Sequence, residues 1–294
     1  MKKRVKQDSP MDTTDLFILS KIRNTSFQDI IKELSTQRIN LDEQKLLFKI
    51  KEKVLKGYPL AYILERIDFL NREFYINSNV LVPRPETEEW VSNFINFFRA
   101  KHEKNLDSKF NLIDMATGSG VIGISTWLEL GLSLDTIYLV DISQSALDVA
   151  KINLNHFKQN YSSNSNIKLI GSDLFSDFTD SQLSVFQKKE NHNIFLSNLP
   201  YLPYLDKADL PNLDYEPEIA LFSGQKGLDL FLKTIEQIID KNLHFDLLYF
   251  ELDPRNVYQA QELLLKYNYF SKYNIKVLID FMGRSRTLVL DIMY

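Results

Sequence analysis

The residues best suited to chemistry in this 294-residue chain are Asn198-Leu199-Pro200-Tyr201, which follow the apolar run Ile194-Phe195-Leu196-Ser197. That run reads as a buried strand, so the tetrapeptide falls where a strand ends and a loop opens into a cleft. An Asn side-chain oxygen, a backbone carbonyl beside a proline and an aromatic face together receive a planar NH2 group. Two acceptors take its two N–H bonds, and the ring stacks on its plane. Amides and exocyclic amines are groups of this kind. Asn and Pro are also ordinary turn formers, so the neighbouring strand ends have to decide between the two readings.

Ligands of open α/β sheets bind beyond the carboxyl ends of the strands. The first candidate strand, Leu112–Met115, carries Asp114 and runs into Ala116-Thr117-Gly118-Ser119-Gly120. The second, Thr136–Asp141, ends on Asp141, and the third, Ile167–Ile170, is followed by Gly171-Ser172-Asp173-Leu174-Phe175. The fourth ends at Asn198, so polar groups converge from successive strand ends on a glycine-rich turn. Gly118 to Gly123 fits G-x-G-x-x-G, with Asp141 about twenty residues on, which makes a nicotinamide-dependent dehydrogenase an alternative. Asp114 weighs against it, because a carboxylate next to a pyrophosphate is repelled whereas one next to an ammonium is attracted. A nucleoside with an amino-acid tail suits the edge better: Asp141 for both ribose hydroxyls, glycines to admit the tail, Asp173 to accept from an adenine amine. S-adenosylmethionine is such a ligand.

The elements that must position these residues follow from the pattern. Further strands are expected at Leu247–Leu252, Ile275–Ile279 and Thr287–Asp291, with helices over Ser143–Gln159, Leu228–Ile239 and Val257–Tyr267. This alternation implies an α/β fold with a parallel sheet covered on both faces. Only seven residues separate Ile279 from Thr287, too few for a parallel crossover, so the last strand of a seven-stranded sheet must run antiparallel. Residues 1–66 are helical in pattern: a helix around Phe27 to Leu34, then a capping box at Asn40-Leu41-Asp42-Glu43 opening a helix that stops at Gly57. Within it Lys45, Lys49, Lys53 and Lys56 read as the solvated face opposite Leu46, Leu47, Ile50 and Val54. Residues 67–85 read as a connector in which Phe74-Tyr75-Ile76 and Val80-Leu81-Val82 form a hairpin around Asn77-Ser78-Asn79. Residues 86–294 then make the main domain, its first helix running to Phe98 and a charged connection at Lys101 to Lys109. Ser162–Asn166 is a short polar tract.

Composition bounds the function. Hydrophobic residues at 44% and charged residues at 25% are those of a soluble globular protein. A net charge of −4 disfavours a polyanion-binding surface. The absence of cysteine excludes disulfides, thiolate metal sites and a cysteine nucleophile. The four histidines, His102, His156, His192 and His244, are not spaced as ligands on one element, so no metal is expected. Met1-Lys2-Lys3-Arg4 leads into Gln7-Asp8-Ser9-Pro10 without an apolar core, and no run has the length of a membrane span. A cytoplasmic protein without membrane association is expected.

With these pieces placed, the chain resembles the HemK-type methyltransferases that modify the glutamine of peptide-chain release factors. The resemblance rests on Pro59–Leu64, Val82-Pro83-Arg84-Pro85-Glu86-Thr87-Glu88, the Asp114–Gly120 turn, Val140-Asp141-Ile142-Ser143 and Ser172–Phe175. It continues through Asn198–Tyr201, Tyr215-Glu216-Pro217 and Leu221–Asp229. It implies a class I, Rossmann-like methyltransferase domain using S-adenosylmethionine. It also implies a helical N-terminal domain that docks the release factor, and the glutamine of a Gly-Gly-Gln loop as methyl acceptor. Cofactor contacts would come from Asp114, Ala116, Thr117, Gly118, Ser119, Gly120, Asp141, Asp173, Leu174 and Asn198. Substrate contacts would come from the tetrapeptide together with Arg84 and Glu86. The protein would act as a monomer and without direct nucleic-acid contact. Two residues depart from the family pattern: Ala116 stands where the turn usually has its first glycine, and Leu199 where the tetrapeptide usually has its first proline. Leu174 stands where some relatives carry an aromatic residue.

An amide nitrogen is a poor nucleophile, so positioning has to supply much of the rate enhancement. Asn198 Oδ1 and the Leu199 carbonyl would accept the two N–H bonds and offset the positive charge that develops. Tyr201 would stack on the amide plane. The rival enzyme is an N6-adenine or N2-guanine methyltransferase acting on nucleic acid, which uses a similar box. A non-catalytic docking protein with a decayed site is the rival of another class.

Overall fold

Helices near the amino end begin where side chains take up the orphan N–H groups of the first turn. Asp12 caps α1 (Thr13–Ile22), α2 (Phe27–Thr36) follows, and Asn40 caps α3 (Leu41–Leu55). Both caps are reciprocal boxes, with Asp15 and Glu43 returning the bond. Gly57, at φ +88°, turns the chain out of α3 towards Pro59 and the short α4 (Leu60–Leu64). Ile18, Leu19, Ile30, Leu47 and Ile50 form the core of these helices. Arg23 joins them from α1's end, with Nε 2.8 Å from Glu43 and a second nitrogen 2.9 Å from Glu33. Lys45, Lys49, Lys53 and Lys56 face solvent. Leu46, expected in the apolar face, is 43% exposed, because the buried stripe of α3 runs through Leu47 and Ile50 instead.

The computed structural model describes residues 11–36, 39–102, 109–161, 165–210 and 213–292. The contacts divide the chain into two compact units, Met1–Glu65 and Arg66–Tyr294. Residues 1–10, most of the charged connection after Lys101 and part of the polar tract after Tyr161 lie outside the described residues.

The second unit opens with a hairpin displaced from the expected one. β1 (Arg66–Phe69) pairs antiparallel with β2 (Arg72–Tyr75), Phe69 opposite Arg72. Leu70 and Asn71 between them have φ of 48° and 58°, the doubly left-handed turn whose twist matches paired strands. The pairing expected between Phe74–Ile76 and Val80–Val82 does not form. Asn77 Oδ1 instead accepts from Asn79 N at 2.9 Å, and Val80 is buried as a plug. Val82 N donates instead to Glu216 Oε2 at 2.9 Å, outside any ladder.

From α5 (Pro85–His102) onward, strand and helix alternate: β3 (Phe110–Met115), α6 (Val121–Leu130), β4 (Leu134–Asp141), α7 (Gln144–Lys158) and β5 (Asn166–Gly171). They continue as α8 (Asp180–Gln187), β6 (His192–Ser197), α9 (Asp229–Asp240), β7 (Leu247–Glu251), α10 (Val257–Leu264), β8 (Tyr273–Ile279) and β9 (Ser285–Ile292). The seven-stranded sheet has the order β5-β4-β3-β6-β7-β9-β8. As expected, β9 is antiparallel to both neighbours, and the pairs from β5 to β7 are parallel. Every residue of β3 and β7 is buried, as strands covered on both faces must be, while β5 and β8 at the edges are not. Alternate residues feed two cores: Ile113, Tyr138 and Phe195 face one side, Leu112, Leu139 and Leu196 the other.

The register sets the site. Met115 lies opposite Ser197, Asp141 opposite Gly171, and Ser197 opposite Phe250, so the loops after β3, β4, β5, β6 and β7 leave one edge together. Among the helices absent from the sequence expectation, α1 and α8 carry legible start signals: Asp12 with Asp15, and Thr179 with Gln182. Replacing Asn40 by Ala removes both N-terminal acceptor bonds of α3 and should cost about 1 kcal/mol, read by urea unfolding of the helical unit.

Candidate active site

Asp114, next to last in β3, has no solvent exposure, and its Oδ2 accepts from Thr117 Oγ1 at 2.6 Å and Gly123 N at 2.8 Å. Oδ1 has no partner. Burial pushes this carboxyl up to about 7 against the two donors, and Asp141 nearby adds to the rise. The residue therefore lies behind the glycine-rich turn and staples it, rather than lining the cleft. Gly123 permits this: a Cβ there would stand 2.3 Å from Leu139 Cδ2 and 2.9 Å from Asp114 Cβ, so α6 packs onto the sheet only with glycine.

The turn itself requires left-handed backbone. Gly118 and Gly120 have φ of 55° and 84°, and Ala116 has φ of 59°. Ala116 thus occupies the conformation in which a Cβ carries a cost, about 1–2 kcal/mol relative to glycine. Gly118 lines the cleft, and a Cβ there would meet no protein atom within 4 Å. Gly120 does not line it and instead precedes α6, where a Cβ would strike Ile124 Cδ1 at 2.6 Å.

Asp141, at the end of β4, accepts from Gly118 N and from Ser143 N, one per oxygen and each at 2.9 Å. Burial raises its pKa in spite of these bonds. Each oxygen retains acceptor capacity, since a carboxylate offers about four lone-pair sites in all. Asp173, in the loop after β5, also lines the cleft, with Oδ2 2.5 Å from Lys233 Nζ. Leu174 follows it with φ of 57°, another non-glycine residue in the left-handed region. Asn153, not singled out from the sequence, ties the turn to the hairpin: its Nδ2 donates to the carbonyls of Ser119 and Tyr75.

The Asn198 loop follows β6. Asn198 Nδ2 donates to Thr87 Oγ1 at 3.1 Å, and Thr87 Oγ1 donates to Glu251 Oε2 at 2.7 Å. Glu251, fully buried at the end of β7, also accepts from Trp90 Nε1 at 2.8 Å and Tyr201 OH at 3.1 Å. Arg286 stands 4.0 Å away. Burial raises the Glu251 carboxyl, and burial beside Glu251 raises the Tyr201 phenol well above its ordinary value. Leu199 is 3% exposed and belongs to the core cluster with Met115, Phe195 and Leu228. Gly227, at φ +82°, lets the Tyr201 carbonyl approach to where a Cβ would stand 2.1 Å away.

One cleft gathers most of the expected site. Its space of about 1040 Å³, open to solvent, is lined by Ala116, Thr117, Gly118, Ser119, Asp141, Asp173, Leu174, Asn198, Leu199 and Pro200 among others. Tyr201 lies outside the lining with its hydroxyl on Glu251. Arg84 and Glu86, expected to contact substrate, do not line it either. Arg84 pairs with the buried Glu216, which also accepts from Val82 N, and Glu86 lies 3.6 Å from Arg286. The partners of Glu216, Glu251 and Arg286 are missed by reading strand ends alone, because only the fold brings 84 beside 216 and 87 beside 251.

The sheet order, the turn after β3 and the acidic end of β4 define a class I methyltransferase fold. Solved structures agree on the fold. The hMettl16 catalytic domain in complex with MAT2A 3′UTR hairpin 6 aligns with TM-score 0.51 at 13% identity, over 83% of this chain and 92% of that one. The hairpin 1 complex gives TM-score 0.52 at 12% identity, over 75% and 74%. No protein-family model matches the chain. Among curated proteins, the release factor glutamine methyltransferase of Leptospira interrogans is 31% identical over 288 residues, 96% of this chain and 90% of that one. Those of Bacillus subtilis and Flavobacterium psychrophilum are 31% and 32% identical, over 82% and 84% of this chain and 79% of each relative. The chain belongs to the release factor glutamine methyltransferase family.

Two outcomes test the turn. Ala116→Gly should stabilise the protein by about 1 kcal/mol in urea unfolding, since it relieves a left-handed Cβ. Asp114 titrates near 7 folded and near 3.9 unfolded, so its favourable contribution is complete below the lower value and is lost as pH rises through the higher one. Between about pH 5 and pH 8 the wild type should lose on the order of 3 kcal/mol relative to Asp114→Asn, measured by unfolding at each pH.

Proposed function

We propose that this protein transfers a methyl group from S-adenosylmethionine to the side-chain amide nitrogen of a glutamine in peptide-chain release factors. The observation that carries the reading is the placement of Asn198 and Asp141 on the walls of one cleft, on either side of the turn after β3. The cleft residues fit the cofactor. Gly118 opens on empty space, Asp141 retains acceptor capacity for a ribose, and Leu174, Ile142 and Ala146 offer apolar wall. When bound, S-adenosylmethionine supplies an electrophilic methyl on a sulfonium.

The chain's own residues then do the positioning. Asn198 Oδ1 and the Leu199 carbonyl accept the two N–H bonds of the glutamine amide and hold its nitrogen in line. These acceptors also offset the positive charge that grows on nitrogen as its C–N bond forms. Tyr201, anchored through its hydroxyl on Glu251, holds the end of the acceptor loop. No base is needed before transfer, since the proton leaves once the nitrogen is cationic. The helical unit to Glu65 docks the release factor, with Phe48 and Leu55 of α3 among its exposed apolar residues. No described helix is long and apolar enough to cross a membrane.

Incubation with methyl-labelled S-adenosylmethionine and a release factor should label the factor, and a Gln→Ala factor should stay unlabelled. Label on the mutant factor, or on added nucleic acid instead, overturns the reading. Asn198→Ala should lower kcat about 100-fold or more and leave the cofactor Kd within about twofold, by turnover and calorimetry. Parallel loss of both would make Asn198 a cofactor residue.

A further inference from the structure

Thr87 sits in the Pro83–Glu88 segment, and its side chain touches both halves of a buried network that the transfer step does not itself use. A threonine hydroxyl carries one proton. In the structure that proton goes to Glu251 Oε2 at 2.7 Å, the shorter of the two Thr87 contacts. The direction is decided by charge, because a bond to a carboxylate is about twice as strong as one between neutral groups. Trp90 donates to the same oxygen, and an indole N–H cannot accept. The Arg286 guanidinium, 4.0 Å away, supplies the countercharge. Thr87 Oγ1 therefore has only lone pairs to offer Asn198, and the Asn198 amide must turn its NH2 towards it.

We infer that Thr87 is a positioning residue: it relays the charge of Glu251 to the Asn198 amide, locking Nδ2 inward and leaving Oδ1 as the group offered to the substrate. This rests on the function proposed above. The reversed amide would present an NH2 to the glutamine NH2, donor against donor, and no bond would form. The same carboxylate takes the Tyr201 hydroxyl at 3.1 Å, so one buried charge orients the first and last residues of the acceptor loop. Glu251 lies 53 residues beyond Asn198, and Thr87 lies 111 residues before it. The relay exists only through the sheet register that sets Ser197 beside Phe250 and through the docking of α5 on that edge.

Thr87→Val removes the relay with little change of volume, and Thr87→Ser retains the hydroxyl. Thr87→Ala carries the same test where the valine methyls crowd. Thr87→Val and Thr87→Ala should lose about tenfold or more in kcat while cofactor affinity stays within about twofold, and Thr87→Ser should keep turnover near wild type. The side-chain NH2 resonances of Asn198 read the orientation without any substrate. They should be protected from exchange in wild type and Thr87→Ser and lose that protection in Thr87→Val. Full turnover with an unchanged Asn198 amide in Thr87→Val overturns the relay, as does equal loss in the serine and valine variants. A wild-type protein with a locked Asn198 amide that leaves the release factor unlabelled overturns the function proposed above and supports the relay.

Discussion

A carboxylate removed from water must collect donors or become neutral, and the groups that donate to it are thereby held in place. The cleft is built on this constraint twice. Asp114, unexposed and next to last in β3, gathers Thr117 and Gly123 and so fixes the turn that faces the cleft. Glu251, unexposed at the end of β7, gathers Thr87, Trp90 and Tyr201 and so fixes the loop after β6. Between these two buried acids runs β6, which delivers Asn198 into the cleft. Both acids are pushed towards neutrality by burial, so the site holds electrostatic strain where a wholly apolar core would hold none.

The two departures from the family pattern have different physical weight. Ala116 takes a left-handed backbone that glycine adopts freely, so alanine at this position loads strain into the turn. Leu199 replaces a proline with a side chain that the core beside Met115 and Phe195 accommodates, while Pro200 keeps the following peptide constrained. The turn is thus strained, and the acceptor loop gains apolar packing. Neither change removes a polar group from the cleft.

Several features were legible in the residue order because they are local. The capping box at Asn40, the strands that carry Asp114, Asp141 and Asn198, and the antiparallel last strand each follow from spacing within one element or one short connection. The hairpin was misplaced because Asn77-Ser78-Asn79 has the composition of a strand-linking turn. The working turn, Leu70-Asn71, has a leucine in a left-handed position that sequence preference disfavours. The partners that these side chains take were not legible: Asp114 collects its donors from the turn, and Arg84 and Glu86 pair with Glu216 and Arg286.

By itself, the sequence determined which residues end the strands and therefore which polar groups share one edge of the sheet, because strand periodicity and crossover length are short-range constraints. The tertiary structure alone decided which of those groups face a ligand and which hold the scaffold. Strand order and helix docking bring residues more than a hundred positions apart within hydrogen-bond distance, as Thr87 and Glu251 show. A carboxylate's role depends on how many donors surround it once water has been excluded, and that number exists only in the folded chain.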